Sequence, residues 1–287
     1  AVAQFANDSF SDTEAAIGRL MRFLAVEGVT GQEAAIGKEI VKALKEAGVP
    51  NSAIRFDDAN TRIPEPTQTG NLIVKLPGTT KKPAKPILFM THMDTVPLCA
   101  GAKPKRQGNR IVNEANAALG GDNRTGCAVL VSLAAELIAR KLPHPPITLL
   151  FTVREESGLF GAKHLDPADL GNPVMGFNFD GRCAADVIVG AIGADRWSVD
   201  ILGKASHAGV APEKGISATM VLALALAEVH AGGWFGKVVK DGKEGTSNVG
   251  PVGTLDGKSA GQATNVVTDF IHVKGKSRSH DAKFLRQ

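Results

Sequence analysis

The chain has 287 residues, with 33 Lys and Arg against 29 Asp and Glu (a formal net charge of +4), and is 43% hydrophobic and 22% charged. This is the make-up of a globular protein with enough chain for two domains, and its apolar runs fall short of the about 18 residues that a membrane helix needs. Its two small basic loops, Lys81-Lys82-Lys85 and Lys103-Lys105-Arg106, have no interleaved aromatics. They read as solvated loops, which sets nucleic acid aside as a partner.

Cys99, Cys127 and Cys183 are odd in number, form no CxxC and sit in no nucleophile signature. They predict a reducing, cytoplasmic compartment and neither a disulfide framework nor a cysteine nucleophile. Ala1–Phe10 lacks the basic-then-apolar pattern of a signal peptide.

In chain order, Ser11-Asp12-Thr13-Glu14 predicts a capping box that opens a helix to about Leu24. Thr30-Gly31-Gln32-Glu33 repeats the pattern before a helix with Ile36, Ile40, Val41 and Leu44 on one face. Asn51–Gly70 holds a strand at most. Asn71–Leu76 is a strand and Pro77-Gly78 a turn. The apolar run Ile87–Met90 is the strand on which the chain is organised, and it leads into Thr91-His92-Met93-Asp94-Thr95-Val96-Pro97. Residues 103–116 suggest a hairpin or an irregular connection. Gly120-Gly121-Asp122 leads into a largely apolar helix over about Cys127–Lys141, expected to lie against a sheet. Ile147–Val153 reads as a strand covered on both faces and delivers Arg154-Glu155-Glu156. Val174–Phe179 is a strand that delivers Asp180.

Beyond Asp186 the texture changes. Val187–Ala191, Arg196–Leu202, Ser247–Thr254 and Asn265–Lys274 predict strands, Gly215–His230 a helix, and Arg278–Asp281 the start of a last helix. The expected fold is α/β: a catalytic domain over residues 1–190 with a mostly parallel sheet and helices on both faces, then a smaller α+β domain over 191–287.

Ligand sites in such sheets gather at the carboxyl ends of strands. His92 and Asp94, Glu155 and Glu156, and Asp180 all follow strands, and Asp122 opens a helix. Each alone has an ordinary explanation: a loop cap, surface charge, or an Asp-Gly turn. Together at strand ends they would repel one another unless a cation neutralised them. Imidazole with carboxylates suits zinc, and a carboxylate can bridge two metals. Of the adjacent Glu155 and Glu156, one can hold metal while the other works as general base.

The ordered motifs Thr91–Pro97, Leu119-Gly120-Gly121-Asp122-Asn123, Glu155-Glu156-Ser157-Gly158-Leu159-Phe160-Gly161-Ala162, Phe179-Asp180-Gly181 and Gly203-Lys204-Ala205-Ser206-His207-Ala208-Gly209, with the later Thr264-Asn265-Val266-Val267, resemble those of the co-catalytic di-zinc exopeptidases. The peptidase T-like aminopeptidases of that family look most similar. The resemblance implies a zinc-dependent aminopeptidase that acts on tripeptides and other short peptides. His92 would bind the first zinc with Asp94 behind it, Asp122 would bridge two zinc ions, Asp180 would complete the first and Glu156 would hold the second. Glu155 would be the general base and then the acid. His207, Asn265 and Arg278, in a lid or dimerisation domain that can pair as a homodimer, would contact substrate. Members often carry an acidic residue where this chain has Asn123, and Lys where it has Arg124. They also return from the lid to the first domain with a late His ligand for the second zinc. The sequence given stops before such a segment, so an incomplete chain with a weakened second site and little activity is one expectation. A deacylase or carboxypeptidase of the same fold is the alternative enzyme.

Overall fold

The computed structural model describes residues 12–181, 183–253 and 263–287. Ser11 of the first capping box and Thr254 at the end of an expected strand lie outside these residues. The chain divides into two compact units, Ala1–Ala184 and Ala185–Gln287.

In the first unit, α1 (Thr13–Leu24) is capped by Asp12, whose side chain accepts the Ala15 N–H. α2 (Ala34–Glu46) buries Ile36, Ile40, Ala43 and Leu44. Strands β1 (Ile54–Phe56), β2 (Leu72–Leu76) and β3 (Ile87–His92) precede a hairpin of β4 (Pro104–Gln107) and β5 (Arg110–Asn113). The unit continues with α3 (Gly121–Ala139), β6 (Ile147–Thr152), the short α4 (Phe160–Lys163) and β7 (Met175–Asn178).

The five-stranded sheet has the order β1-β2-β6-β3-β7. Its pairings β6–β3 and β3–β7 are parallel, while β1–β2 and β2–β6 are antiparallel. The expected α/β class holds, but the sheet is mixed and not mostly parallel. The parallel half is the part that carries the motifs. All six residues of β6 are buried, as its unbroken apolar run requires. Leu149 and Phe151 pack with the residues of α1, α2 and α3 on one face, and Leu150 packs with Ile73, Leu88, Leu165 and Leu170 on the other.

In the second unit, β8 (Gly193–Leu202), β9 (Gly236–Lys240), β10 (Lys243–Gly253) and β11 (Phe270–Ser279) form an antiparallel sheet of order β8-β11-β10-β9. The helix α5 (Ala218–Ala231), capped by Ser217, lays Ala218 and Leu222 on Ile271 and Val273. A last short helix, α6 (Ala282–Leu285), is capped by Asp281.

Three sequence expectations change here. Residues 186–192 form no strand, although Val187, Ile188 and Val189 alternate as one would. They are 86%, 71% and 94% exposed, because among the described residues no neighbouring strand pairs with them. Asn265–Asp269 lies outside β11, and Arg278 lies inside it and does not open the final helix. β9 was not anticipated, since Gly236–Lys240 is short and polar until paired with β10.

Candidate metal centre and active site

Because β6, β3 and β7 run parallel side by side, their carboxyl ends line up. His92 is in register with Thr152, and the Phe179 N–H donates to the Met90 carbonyl at 2.8 Å. The chain therefore emerges at one edge of the sheet as His92–Asp94, Arg154–Glu156 and Asp180.

His92 is 2% exposed and Asp94 is 0% exposed. His92 Nδ1 lies 3.3 Å from Asp94 Oδ1 and 3.1 Å from the Asp94 carbonyl oxygen, and Nε2 lies 3.0 Å from Asp122 Oδ1. Asp94 also accepts two backbone N–H groups, from Glu155 to Oδ1 at 2.9 Å and from Glu156 to Oδ2 at 3.1 Å. One buried carboxylate thus orients the imidazole and fixes both glutamates.

Gly120, at φ +81°, turns the chain ahead of Asp122. Asp122 and Asn123 keep non-helical dihedrals at the start of α3, and the peptide between them is cis. The Asn123 side chain donates to the Phe179 carbonyl at 2.6 Å and accepts the Gly126 N–H at 2.9 Å. This ties the start of α3 to the segment that carries Asp180.

Among the described residues, one imidazole–carboxylate group brings its donor atoms within 4.8 Å of one another: His92, Asp122 and Glu156. Glu155 Oε2 is 4.0 Å from His92 Nε2. Asp180 is exposed and stands outside the 4.8 Å group, yet its charge acts on both His92 and Glu155. Burial alone would lower the His92 pKa. The Asp94 hydrogen bond and the charges of Asp94, Glu155 and Asp180 outweigh burial and push it up to about 9. Burial raises the Glu155 pKa, His92 opposes this, and Asp180, Asp94 and Asp122 add to it. Burial and then Asp122 raise that of Glu156. Clustered acids that hold one another toward the protonated form make a site suited to a cation. One imidazole with carboxylates in reach of one point is a donor set that suits a divalent metal ion.

The residues expected to contact substrate lie in the second unit. His207 bridges Val266, and the Ala208 N–H donates to the Asn265 carbonyl at 2.8 Å, so His207 and Asn265 are neighbours. Arg278 is opposite Thr246 and Ala194 near the far end of β11. At about 3.4 Å per residue it stands roughly 27 Å along the strand from Phe270, the first residue of β11.

Several supporting residues carry no catalytic motif. Glu33 is 0% exposed and accepts the Gly31 and Arg154 N–H groups at 2.7 and 3.1 Å. It occupies the N-cap position of α2 without a side-chain capping bond, and the Thr30 hydroxyl makes none either, donating instead to Ser157 at 3.0 Å. Arg124 is 2% exposed and donates to the carbonyls of Met93, Val26 and Gly28 at 2.6, 3.3 and 3.3 Å. Burial pushes the Cys127 thiol up to about 12, so it is no nucleophile.

Two family models match the chain: Peptidase family M28 over residues 71–201 and Peptidase dimerisation domain over 189–284. The crystal structure of aminopeptidase PepT from Bacillus cereus is 31% identical, with a TM-score of 0.80, over 96% of this chain and 69% of that one. A tripeptidase from Staphylococcus aureus is 26% identical, with a TM-score of 0.82 and the same coverage. The YqjE protein of Bacillus subtilis is 31% identical over 260 residues, which are 90% of this chain and 64% of YqjE. The chain thus spans about two thirds of the length of these relatives. With the ordered motifs and the His92–Asp122–Glu156 group on the matching fold, the chain belongs to the peptidase T-like family of metallopeptidases.

Proposed function

We propose that the protein is a zinc-dependent exopeptidase, an aminopeptidase that releases N-terminal residues from tripeptides and other short peptides. The observation that carries this reading is Glu155 Oε2 standing 4.0 Å from His92 Nε2 at the edge of the His92–Asp122–Glu156 group. This distance supports reading Glu155 as a base beside residues that would hold a metal. The donors fit the metal by type and spacing. His92, Asp122 and Glu156 would hold zinc, Asp122 would be shared if two ions bind, and Asp180 would add a further ligand.

When bound, zinc supplies Lewis acidity toward the peptide carbonyl and toward water. The chain's own residues do the rest. Asp94 holds the imidazole with Nε2 toward the site, as an orienting carboxylate does. Glu155, with a pKa raised by burial, takes a proton from the attacking water and returns it to the leaving amine. His207 is proposed to approach the scissile carbonyl, and Asn265 and Arg278 to contact other parts of the peptide.

The proposed setting is the cytoplasm. Among the described residues no helix is long and apolar enough to cross a membrane. A homodimer through the second unit is proposed from the match to a dimerisation domain and from the apolar face of α5, where Met220 and Leu224 are 58% and 63% exposed.

The test is amino-acid release from an unblocked tripeptide and from its N-acetyl counterpart, after chelation and again after zinc is returned. Zinc-restored cleavage of the free peptide alone, at its amino end, is expected. Cleavage of the blocked peptide would move the reading to a deacylase or carboxypeptidase.

A further inference from the structure

Three consecutive backbone N–H groups, of Arg154, Glu155 and Glu156, are all received by two buried carboxylates. Asp94 takes the second and third. Glu33 takes the first on Oε1, the same oxygen that accepts the Gly31 N–H. Arg154 lies at φ +50°, a left-handed conformation that a residue with a Cβ keeps only when its surroundings hold it there.

The surroundings hold Arg154 at both ends. Its backbone N–H is on Glu33, while its guanidinium donates to Thr67 Oγ1 at 2.7 Å and to the Pro66 carbonyl at 2.6 Å. Gly31 leaves room for that guanidinium, since a Cβ there would stand 2.5 Å from Nη2. The Thr30 hydroxyl adds a bond to Ser157 on the far side of the glutamates. The Thr30–Glu33 loop is itself fastened to the β3 exit, because the Thr30 N–H donates to the Thr95 carbonyl at 2.9 Å.

We propose that Glu33 is a positioning residue for the reaction: by receiving the Arg154 N–H it sets the turn that aims Glu155 at the substrate and Glu156 at the metal. The part that needs a reaction rests on the aminopeptidase reading, while the part that concerns metal geometry does not. Among the described residues Glu33 accepts from the backbone N–H groups of Gly31 and Arg154 and hydrogen-bonds to no candidate metal ligand. It acts through the second of these bonds, which needs an acceptor at Oε1, as a glutamine also provides.

The experiment uses the full chain with Glu33→Ala and Glu33→Gln. Cobalt(II) is titrated as the probe metal and its absorption bands are recorded, and kcat and KM are measured on a tripeptide. Folding is followed by circular dichroism. With Glu33→Ala folded, kcat is expected to fall at least about tenfold with KM nearly unchanged, since a displacement of about 1 Å can cost far more. The cobalt bands are expected to shift and cobalt affinity to weaken. Glu33→Gln should restore most of the kcat and the wild-type bands.

Wild-type bands and wild-type kcat per folded molecule in Glu33→Ala would overturn the proposal. So would a Glu33→Gln variant as impaired as Glu33→Ala. Should Glu33→Ala not fold, Thr67→Val removes one outer contact of the Arg154 guanidinium, together with the Thr67 bond to the Glu65 carbonyl. The same shift in bands and kcat is expected there, and an unchanged Thr67→Val would overturn the clamp. If the wild-type chain cleaves no peptide, the aminopeptidase reading fails and the cobalt spectra still decide the role of Glu33.

Discussion

Asp94 Oδ1 accepts the Glu155 backbone N–H at 2.9 Å while lying 3.3 Å from His92 Nδ1. The carboxylate that turns the imidazole toward the site therefore also holds the residue proposed as base. Asp94→Ala frees both at once. Metal affinity is expected to fall about 10–100-fold, as for other orienting carboxylates, and kcat should fall with it. Isothermal titration with zinc and steady-state kinetics on the same preparation check this, and unchanged zinc affinity would count against it.

Removing only the base should separate chemistry from binding. Glu155→Gln keeps size and the Asp94 bond to its backbone, so zinc content and KM should stay near wild type. The loss should appear in kcat, by about 10²–10⁴-fold. If the variant loses zinc in proportion to activity, Glu155 is a ligand and not the base.

Arg124 is expected to act on stability. Its guanidinium serves three carbonyls, the buried Met93 and Gly28 and the part-buried Val26, two of them in the segment that leads to α2 and one between His92 and Asp94. Arg124→Met takes this donor from the Met93 and Val26 carbonyls, while Gly28 keeps the Thr95 N–H at 3.1 Å, and should cost about 1–3 kcal/mol for each one left unpaired. An ammonium donates but lacks the planar fork, so Arg124→Lys should recover part of the loss. Denaturant midpoints at constant m-value provide the measurement.

At Gly126 stability and site geometry meet. A Cβ there would stand 2.2 Å from Thr91 Oγ1, 2.5 Å from Asn123 Oδ1 and 2.7 Å from the Phe179 carbonyl. Gly126→Ala should destabilise by about 1–3 kcal/mol through overpacking. It should also weaken zinc binding, because Asn123 and Phe179 adjoin Asp122 and Asp180. A variant with a wild-type melting midpoint and zinc affinity would show that α3 can shift without cost.

Much of the site was legible before any coordinates. The apolar runs of β3 and β6 announce strands, since such runs are stable only when buried between layers. Parallel strands share their carboxyl ends, so His92, Glu155, Glu156 and Asp180 were expected on one edge. The helix of α3 was legible too, but not its buried Arg124, because the sequence pattern records the residue type and not the carbonyls it meets.

The sequence by itself determined the residue types of the candidate metal centre and their order along the chain. Tertiary structure alone decided which strands pair and what the pairing brings together. Val187–Ala191 alternates like a strand and is none, since a ladder needs a partner. The sheet is mixed because β2 docks antiparallel on β6, a direction that packing sets and propensity does not. Thr30-Gly31-Gln32-Glu33 is a sound local capping pattern, yet Thr30 reaches Ser157 and Glu33 reaches Arg154. Glu33 Oε1 is shared between the local Gly31 N–H and the distant Arg154 N–H, and the distant partner is one that a local pattern cannot record.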